Sequence, residues 1–307
     1  MIENPWIIFG FGKQGKKFYK ALTKNGLNVG AVVDPAITND ASCNCVGFKS
    51  FEEFLFRFGK DRRFNLVLSC PVSIRHELIQ TVLRDFDGFV VAEKPFLLDQ
   101  SILNLISDDM FEKRVRVNFT FRFFKQFIGL RKARQLDNLV FGNIRISAKG
   151  DHQRWKHQLS SDGGIVNELA IHGLDLLFYL FGIPDHLTKM ESGVFDSKRF
   201  NINVADMADD YCIFKVRYRN PDRLFFVSAD FNSSMYGFFS DLSGPGIYHR
   251  VGIGPTCYLD TNLEAPVTDK FGDDAYSRFV ACLTDKELFR TLEQEKYWIN
   301  QSDNCTQ

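Results

Sequence analysis

Trp6-Ile7-Ile8-Phe9-Gly10-Phe11-Gly12-Lys13-Gln14-Gly15 decides the fold of the first part of this chain. Four apolar residues read as a buried strand, and G-x-G-x-x-G comes directly after, at the start of a helix. The first glycine permits a tight turn, the second lets a pyrophosphate approach the backbone, and the third lets the helix pack closely on the strand. Phosphates then meet a helix N-terminus, whose unpaired NH groups and dipole favour an anion. The helix predicted over Lys13 to Asn25 places Phe18, Ala21 and Leu22 on one face and stops at Asn25-Gly26.

Working outward, Val29 to Asp34, Leu66 to Ser69, Phe89 to Glu93 and Val115 to Phe119 are further continuous apolar runs, as expected of strands covered on both faces. Ser73 to Asp85 is a second amphipathic helix. Strand and helix in alternation predict a doubly wound parallel sheet, a Rossmann domain. Asp34 closes the second strand about 20 residues beyond the glycine turn, where a carboxylate accepts hydrogen bonds from ribose hydroxyls. A 2'-phosphate there would meet a negative charge, and Pro35 and Ala36 offer no adjacent cation, so NAD is expected as cofactor over NADP. Alone, the glycine pattern also fits a purely structural bend. The strand, the helix and the carboxylate together favour the dinucleotide.

Beyond Val115 to Phe119 the texture changes. Val140 to Ala148, Tyr211 to Tyr218 and Leu224 to Phe231 are longer and alternate, as in an open, mainly antiparallel sheet covered on one face. One apolar helix over Ile165 to Phe181 and a helical region over Asp273 to Gln301 complete the set. With 307 residues there is enough chain for two cores, so the expected division is 1–119 for nucleotide binding and 120–307 for substrate binding and oligomerisation.

Lys plus Arg and Asp plus Glu are equal at 38 each, which gives no bulk field to draw the chain to nucleic acid or an anionic membrane. The seven Cys lack paired zinc-site spacing, so reduced thiols and no metal are expected. The apolar stretch around Leu174 to Ile183 is too short to span a bilayer, and no export segment precedes Trp6. A cytoplasmic location is predicted.

A second set of chemistry-bearing residues lies further along. Ala92-Glu93-Lys94-Pro95 closes a strand at the carboxyl end of the sheet, where ligands of open α/β folds bind. Pro95 imposes extended geometry on Lys94. The alternative is a solvated lysine before a turn. In Gly163-Gly164-Ile165-Val166-Asn167-Glu168-Leu169-Ala170-Ile171-His172-Gly173-Leu174-Asp175, the residues Glu168, His172 and Asp175 fall at i, i+4 and i+7 of a helix, one stripe. Burying three ionisable groups is unfavourable unless they bond to one another or face a ligand. The stripe therefore reads either as facing a polar cleft or as a satisfied network stapling the helix to its neighbour. His76, His152, His157, His186 and His249 read as loop, terminus or surface positions.

The ordered set of G-x-G-x-x-G, E-K-P, the Arg122-Phe123 pair, Trp155-Lys156 and the Gly-Gly helix resembles the glucose-fructose oxidoreductase, inositol dehydrogenase and rhizopine catabolism family over essentially the whole chain. The resemblance implies hydride transfer between NAD or NADP and a secondary alcohol or ketone carbon of a sugar, cyclitol or nucleotide-linked sugar. It implies Lys94, Glu168 and His172 as the catalytic set and a homo-oligomer, dimer or tetramer, formed through the open sheet. Gly10, Phe11, Gly12, Lys13, Gln14, Gly15, Asp34, Ser69, Cys70, Pro71, Glu93 and Lys94 are the expected cofactor residues. Arg122, His152, Trp155, Asp175 and Tyr248, which lie in or beside the motifs, are the expected substrate contacts. Two positions depart from the family pattern. Glu168 stands where the family usually has Asp, and the spacing from Pro71 to His76 is one residue longer than the family's usual one. The rival expectations are a non-catalytic cofactor-binding regulator on the same scaffold and a biliverdin-reductase-like enzyme. The retained Lys94 and His172 weigh against the first.

Overall fold

The computed structural model describes residues 3–37, 45–58, 63–96, 106–149, 157–161, 163–194, 204–233, 236–254, 258–263 and 275–305. Packing divides the chain into two units, Met1–Thr120 with Asp274–Asn304, and Phe121–Asp273 with Cys305–Gln307. The expected two-way cut kept 120–307 together. Instead, the C-terminal helices pack on the first unit.

In the first unit β1 (Trp6–Phe9), β2 (Val29–Val33), β3 (Val46–Phe48), β4 (Asn65–Leu68), β5 (Val90–Glu93) and β6 (Val115–Asn118) form a six-stranded sheet in the order β3-β2-β1-β4-β5-β6. Every pairing is parallel. All residues of β1, β4, β5 and β6 are buried, which explains runs without polar alternation. Helices α1 (Lys13–Lys24), α2 (Phe51–Phe58), α3 (Val72–Asp85) and α4 (Asp108–Arg114) accompany the strands. α1 ends at Asn25, and Gly26 takes φ 74°, a left-handed stop that favours glycine. β3 and α2 had no counterpart in the sequence reading. They are held by a cluster of rings in which Phe54 meets Phe48 and Phe64 edge-on at 5.7 Å each.

The second unit holds a seven-stranded sheet, helix α5 (Lys125–Arg131) and helix α6 (Ile171–Phe181). Its strands are β7 (Phe141–Lys149), β8 (His186–Gly193), β9 (Tyr211–Arg219), β10 (Asp222–Ser233), β11 (Gly237–Gly244), β12 (Ile247–Ile253) and β13 (Tyr258–Thr261), ordered β13-β12-β11-β7-β10-β9-β8. β7 and β10 run parallel, and the other pairs are antiparallel. α6 lies close on one face: a Cβ added at Gly173 would stand 2.8 Å from Val227 Cγ1 and 3.1 Å from Ile144 Cγ2. On that face Ile144, Ile146, Val227, Leu242 and Val251 are buried, while Phe141, Arg145, Asp241 and Arg250 alternate with them on the other and are exposed. The Tyr218 hydroxyl donates to the Gly182 carbonyl at 3.1 Å, at the turn where α6 ends.

The chain then returns to the first unit as α7 (Ala275–Ala281) and α8 (Leu292–Cys305). Phe279 of α7 packs edge-on against Phe18 of α1 at 5.8 Å, and Arg116 of β6 donates to the Leu283 carbonyl at 2.9 Å. Apolar and backbone contacts with α1 and β6 thus hold these helices to the first unit. Among the described residues, no helix is long and apolar enough to cross a membrane.

Candidate functional site

The glycine turn has the form its three roles require. Gly10 takes φ 85°, and a Cβ there would come within 2.7 Å of the Cys70 amide nitrogen. A Cβ at Gly15 would run into the Gly10 carbonyl oxygen. Gly12, which caps the N-terminus of α1, has open space in the direction of its missing side chain. Two glycines are therefore needed for packing. The third leaves room before a helix N-terminus, and these are the properties that fit a dinucleotide pyrophosphate.

Asp34 comes directly after β2 and is half-buried. Its Oδ2 accepts from the Phe11 amide at 2.5 Å and its Oδ1 from the Ala36 amide at 2.8 Å. The carboxylate is thus anchored to the glycine turn. Two carboxylate oxygens offer about four lone-pair sites, so capacity for ribose hydroxyls persists.

Ser69, Cys70 and Pro71 form the link from β4 to α3. Ser69 Oγ donates to the Gly10 carbonyl at 2.6 Å, which joins this link to the turn. Burial pushes the Cys70 thiol above its ordinary range, with the Arg75 guanidinium pulling the other way. Arg75, on α3 and buried, donates through Nη1 to the carbonyls of Glu93 and Pro95 and through Nη2 to that of Cys70 at 3.4 Å. Lys94 lies between two of these acceptors and is half-buried, with a cis peptide to Pro95. Its backbone is therefore held from both sides. Arg75 stands one residue before His76 and was not singled out from the sequence; the long Pro71 to His76 spacing was the signal that could have found it.

Glu93 is buried at the end of β5. Its Oε1 accepts from Asn118 Nδ2 at 2.9 Å and meets the Tyr276 hydroxyl at 2.9 Å. The same hydroxyl lies 2.8 Å from Gln14 Oε1. Burial, and after it the neighbouring Glu93, push the Tyr276 hydroxyl well above its ordinary value, so it remains a proton donor. Tyr276 and Asn118 also escaped the sequence reading, because contacts across so much chain leave no local pattern.

In the second unit Glu168 lies in a π-helical turn, Val166–Ala170, that runs directly into α6. A stripe at i, i+4 and i+7 presumes α geometry throughout, and the π turn breaks that register. Glu168 and His172 are half-buried, whereas Asp175 is only 1% exposed. The single stripe is corrected accordingly: Glu168 sits in the π turn, and on the regular helix after it His172 is half-buried while Asp175 is buried. The His172 ring stands edge-on to Phe121 at 5.4 Å and 90°. Asp175 accepts from Arg122 Nε and Nη2, both at 2.7 Å, inside the unit. The expected substrate contacts Arg122 and Asp175 are therefore turned toward each other.

Tyr248 also departs from its expected place. On β12 its neighbours His249 and Val251 take the α6-covered face, so Tyr248 belongs to the opposite face, where it bonds Asp260 and lies beneath Arg250. His249, read as a loop or surface position, is buried, and burial lowers its pKa to about 4. His157 is buried too, its ring 4.8 Å from that of Phe231. The expected contacts His152 and Trp155 lie outside the described residues. Among the described residues no cluster of His, Cys, Asp and Glu could hold a metal ion.

Residues 138–236 match the model of the oxidoreductase family's C-terminal alpha/beta domain, the family whose motif order the chain resembles. The solved myo-inositol dehydrogenase of Corynebacterium glutamicum superposes with a TM-score of 0.74 at 21% identity, covering 98% of this chain and 95% of that one. The WlbA dehydrogenase of Bordetella pertussis, solved with NADH and UDP-GlcNAcA, gives 0.68 at 17% identity over 93% of this chain and 85% of that one. A levoglucosan dehydrogenase solved with NADH gives 0.72 at 13% identity, over 99% and 95%. No curated protein sequence matches the chain. At these identities the structural likeness establishes the fold.

Proposed function

We infer that this chain, with the oxidoreductase family's C-terminal domain at residues 138–236 and a fold shared with sugar and cyclitol dehydrogenases, is an NAD(P)-dependent dehydrogenase or reductase. Its proposed substrate is a secondary alcohol or ketone carbon of a sugar, cyclitol or nucleotide-linked sugar. The observation that carries this reading is the glycine turn: two glycines whose side chains would collide, and Gly12 open before a helix N-terminus. Asp34, anchored to the Phe11 amide, favours NAD by accepting from ribose hydroxyls and repelling a 2'-phosphate.

When bound, nicotinamide accepts or returns the hydride. The chain's own residues supply placement and proton transfer. His172 takes the proton of the reacting hydroxyl as general base, since imidazole titrates near the working pH. Lys94 stays cationic and stabilises the developing alkoxide. Glu168, half-buried in the π turn before His172, orients the catalytic groups through the substrate by accepting from one of its hydroxyls. Arg122 and Asp175 hold the helix that carries His172. The open face of the seven-stranded sheet, with Phe141, Phe239 and Tyr258 exposed, supports self-association into a homo-oligomer.

The test is calorimetric titration with NADH and NADPH, then a screen of sugars and cyclitols with the cofactor that binds. With a substrate in hand, His172→Ala should lower turnover by roughly 10²–10⁴-fold, the usual worth of general-base catalysis. Turnover within a few-fold of the parent removes the role given to His172. Failure to bind either dinucleotide removes the whole reading.

A further inference from the structure

The helices C-terminal to the second unit carry a side chain into the glycine turn. Tyr276 is separated by 262 residues from Gln14 and by 183 from Glu93, yet its hydroxyl lies within 2.9 Å of both. We infer that Tyr276 is a positioning residue of the dinucleotide site, tying the helix that opens the phosphate-binding turn to the strand end that carries Lys94. This rests on the dinucleotide reading above.

One hydroxyl has one proton. It goes to the Glu93 carboxylate, since charge-assisted hydrogen bonds are the stronger kind. A half-turn of the Gln14 amide then presents its NH₂ to the hydroxyl oxygen, because amide oxygen and nitrogen exchange places without changing shape. Asn118 Nδ2 donates to the same Glu93 oxygen at 2.9 Å, so the carboxylate is fixed from two elements besides its own strand. Glu93 immediately precedes Lys94, whose flanking carbonyls Arg75 holds. The peptide that carries Lys94 is thus restrained through the Glu93 side chain and, independently, through its backbone.

The ring of Tyr276 is packed as a phenylalanine would be, edge-on to Phe18 at 5.0 Å and beneath the Lys17 ammonium at 5.0 Å. Packing therefore does not require the hydroxyl, and a buried phenol is costly unless it is bonded. What the oxygen adds is the bridge between Gln14 and Glu93. Without it one link between the two ends of the site is lost, and a dinucleotide must supply more of their ordering on binding.

The experiment measures NADH affinity by calorimetry, with thermal midpoints, for the full chain and a set of variants. Tyr276→Phe keeps the ring and removes the bridge; NADH should bind about tenfold more weakly, the worth of one hydrogen bond to a charged group. Gln14→Met cuts the bridge at its half-buried end and should weaken NADH in the same direction; if Tyr276→Phe does not fold, the double variant Gln14→Met with Phe279→Leu should bind no more weakly than Gln14→Met alone. Phe279→Leu loosens the same helix without touching the bridge. It should lower the midpoint while leaving affinity within twofold. Affinity within twofold of the parent in Tyr276→Phe, or in Gln14→Met if that variant alone folds, overturns the inference. So does equal weakening in Phe279→Leu, which would make packing the whole effect. If the unaltered chain binds no dinucleotide, the functional reading fails first and this inference with it.

Discussion

Asp175 closes a two-bond fork with Arg122: Oδ2 takes Nε and Oδ1 takes Nη2, each at 2.7 Å, with the side chains 1% and 2% exposed. Arg122 lies just after β6 in the sequence and Asp175 lies on α6, so the pair fixes that helix within the second unit. The guanidinium also lies over the Tyr179 ring at 5.3 Å.

Removing one partner leaves an uncompensated buried charge, which costs about 3–5 kcal/mol. Asp175→Asn and Arg122→Met should each lower the urea midpoint of the second unit accordingly. The double variant Arg122→Met with Asp175→Leu should lose much less than the sum, because contacting residues are not additive. Additive losses, measured by denaturant unfolding, would show that the two side chains do not support each other.

The glycine turn predicts two opposite outcomes from similar substitutions. Gly12→Val should leave the thermal midpoint nearly unchanged, since open space surrounds that position, yet abolish measurable NADH binding. Gly15→Ala should destabilise the first unit, because its Cβ would meet the Gly10 carbonyl. Retained NADH binding in Gly12→Val would place the cofactor elsewhere.

Asp34→Ser removes the carboxylate from the turn. NADH affinity should fall about tenfold, as expected for a lost charge-assisted hydrogen bond, and preference should move toward NADPH as the repulsion of a 2'-phosphate disappears. Parallel titrations with both nucleotides check this. An unchanged ratio of the two affinities would remove Asp34 from cofactor choice.

His249 makes stability depend on pH. Its pKa is lowered by burial to about 4 from an ordinary 6.5, so the unfolded chain binds a proton more readily between those values. The contribution is fully present above pH 6.5 and is lost as pH falls toward 4, about 2 kcal/mol by pH 5. Thermal midpoints at pH 7 and pH 5 should differ less in His249→Leu than in the parent. Identical pH slopes would show that His249 titrates freely in the folded protein.

The first sheet was legible because its strands are buried on both faces, and continuous runs such as Trp6 to Phe9 have few other readings. The three glycines were legible for the same local reason. Short β3, β12 and the edge strand β13 carried weaker patterns, although Ile247, His249, Val251 and Ile253 do alternate along β12, an alternation that agrees with the buried His249 of the structure. The stripe through Glu168, His172 and Asp175 failed at Glu168 because no local signal announced the π turn, which rotates that residue relative to His172, and at Asp175 because its partner Arg122 lies 53 residues away in the chain. Tyr276 and Arg75 were hidden for a different reason. Their partners are set by how distant segments pack, and no spacing along the chain encodes that.

The return of the last helices to the first unit has a consequence for the order in which the protein comes into being. Emerging from the ribosome, residues 1–120 appear first but still lack α7 and α8, and with them Tyr276 and the buried Trp298. Residues 121–273, nearly all of the second unit, are synthesised before those helices arrive. The half begun earliest is therefore the half finished last. Until then, the nascent glycine turn has no partner for Gln14 from the far end of the chain.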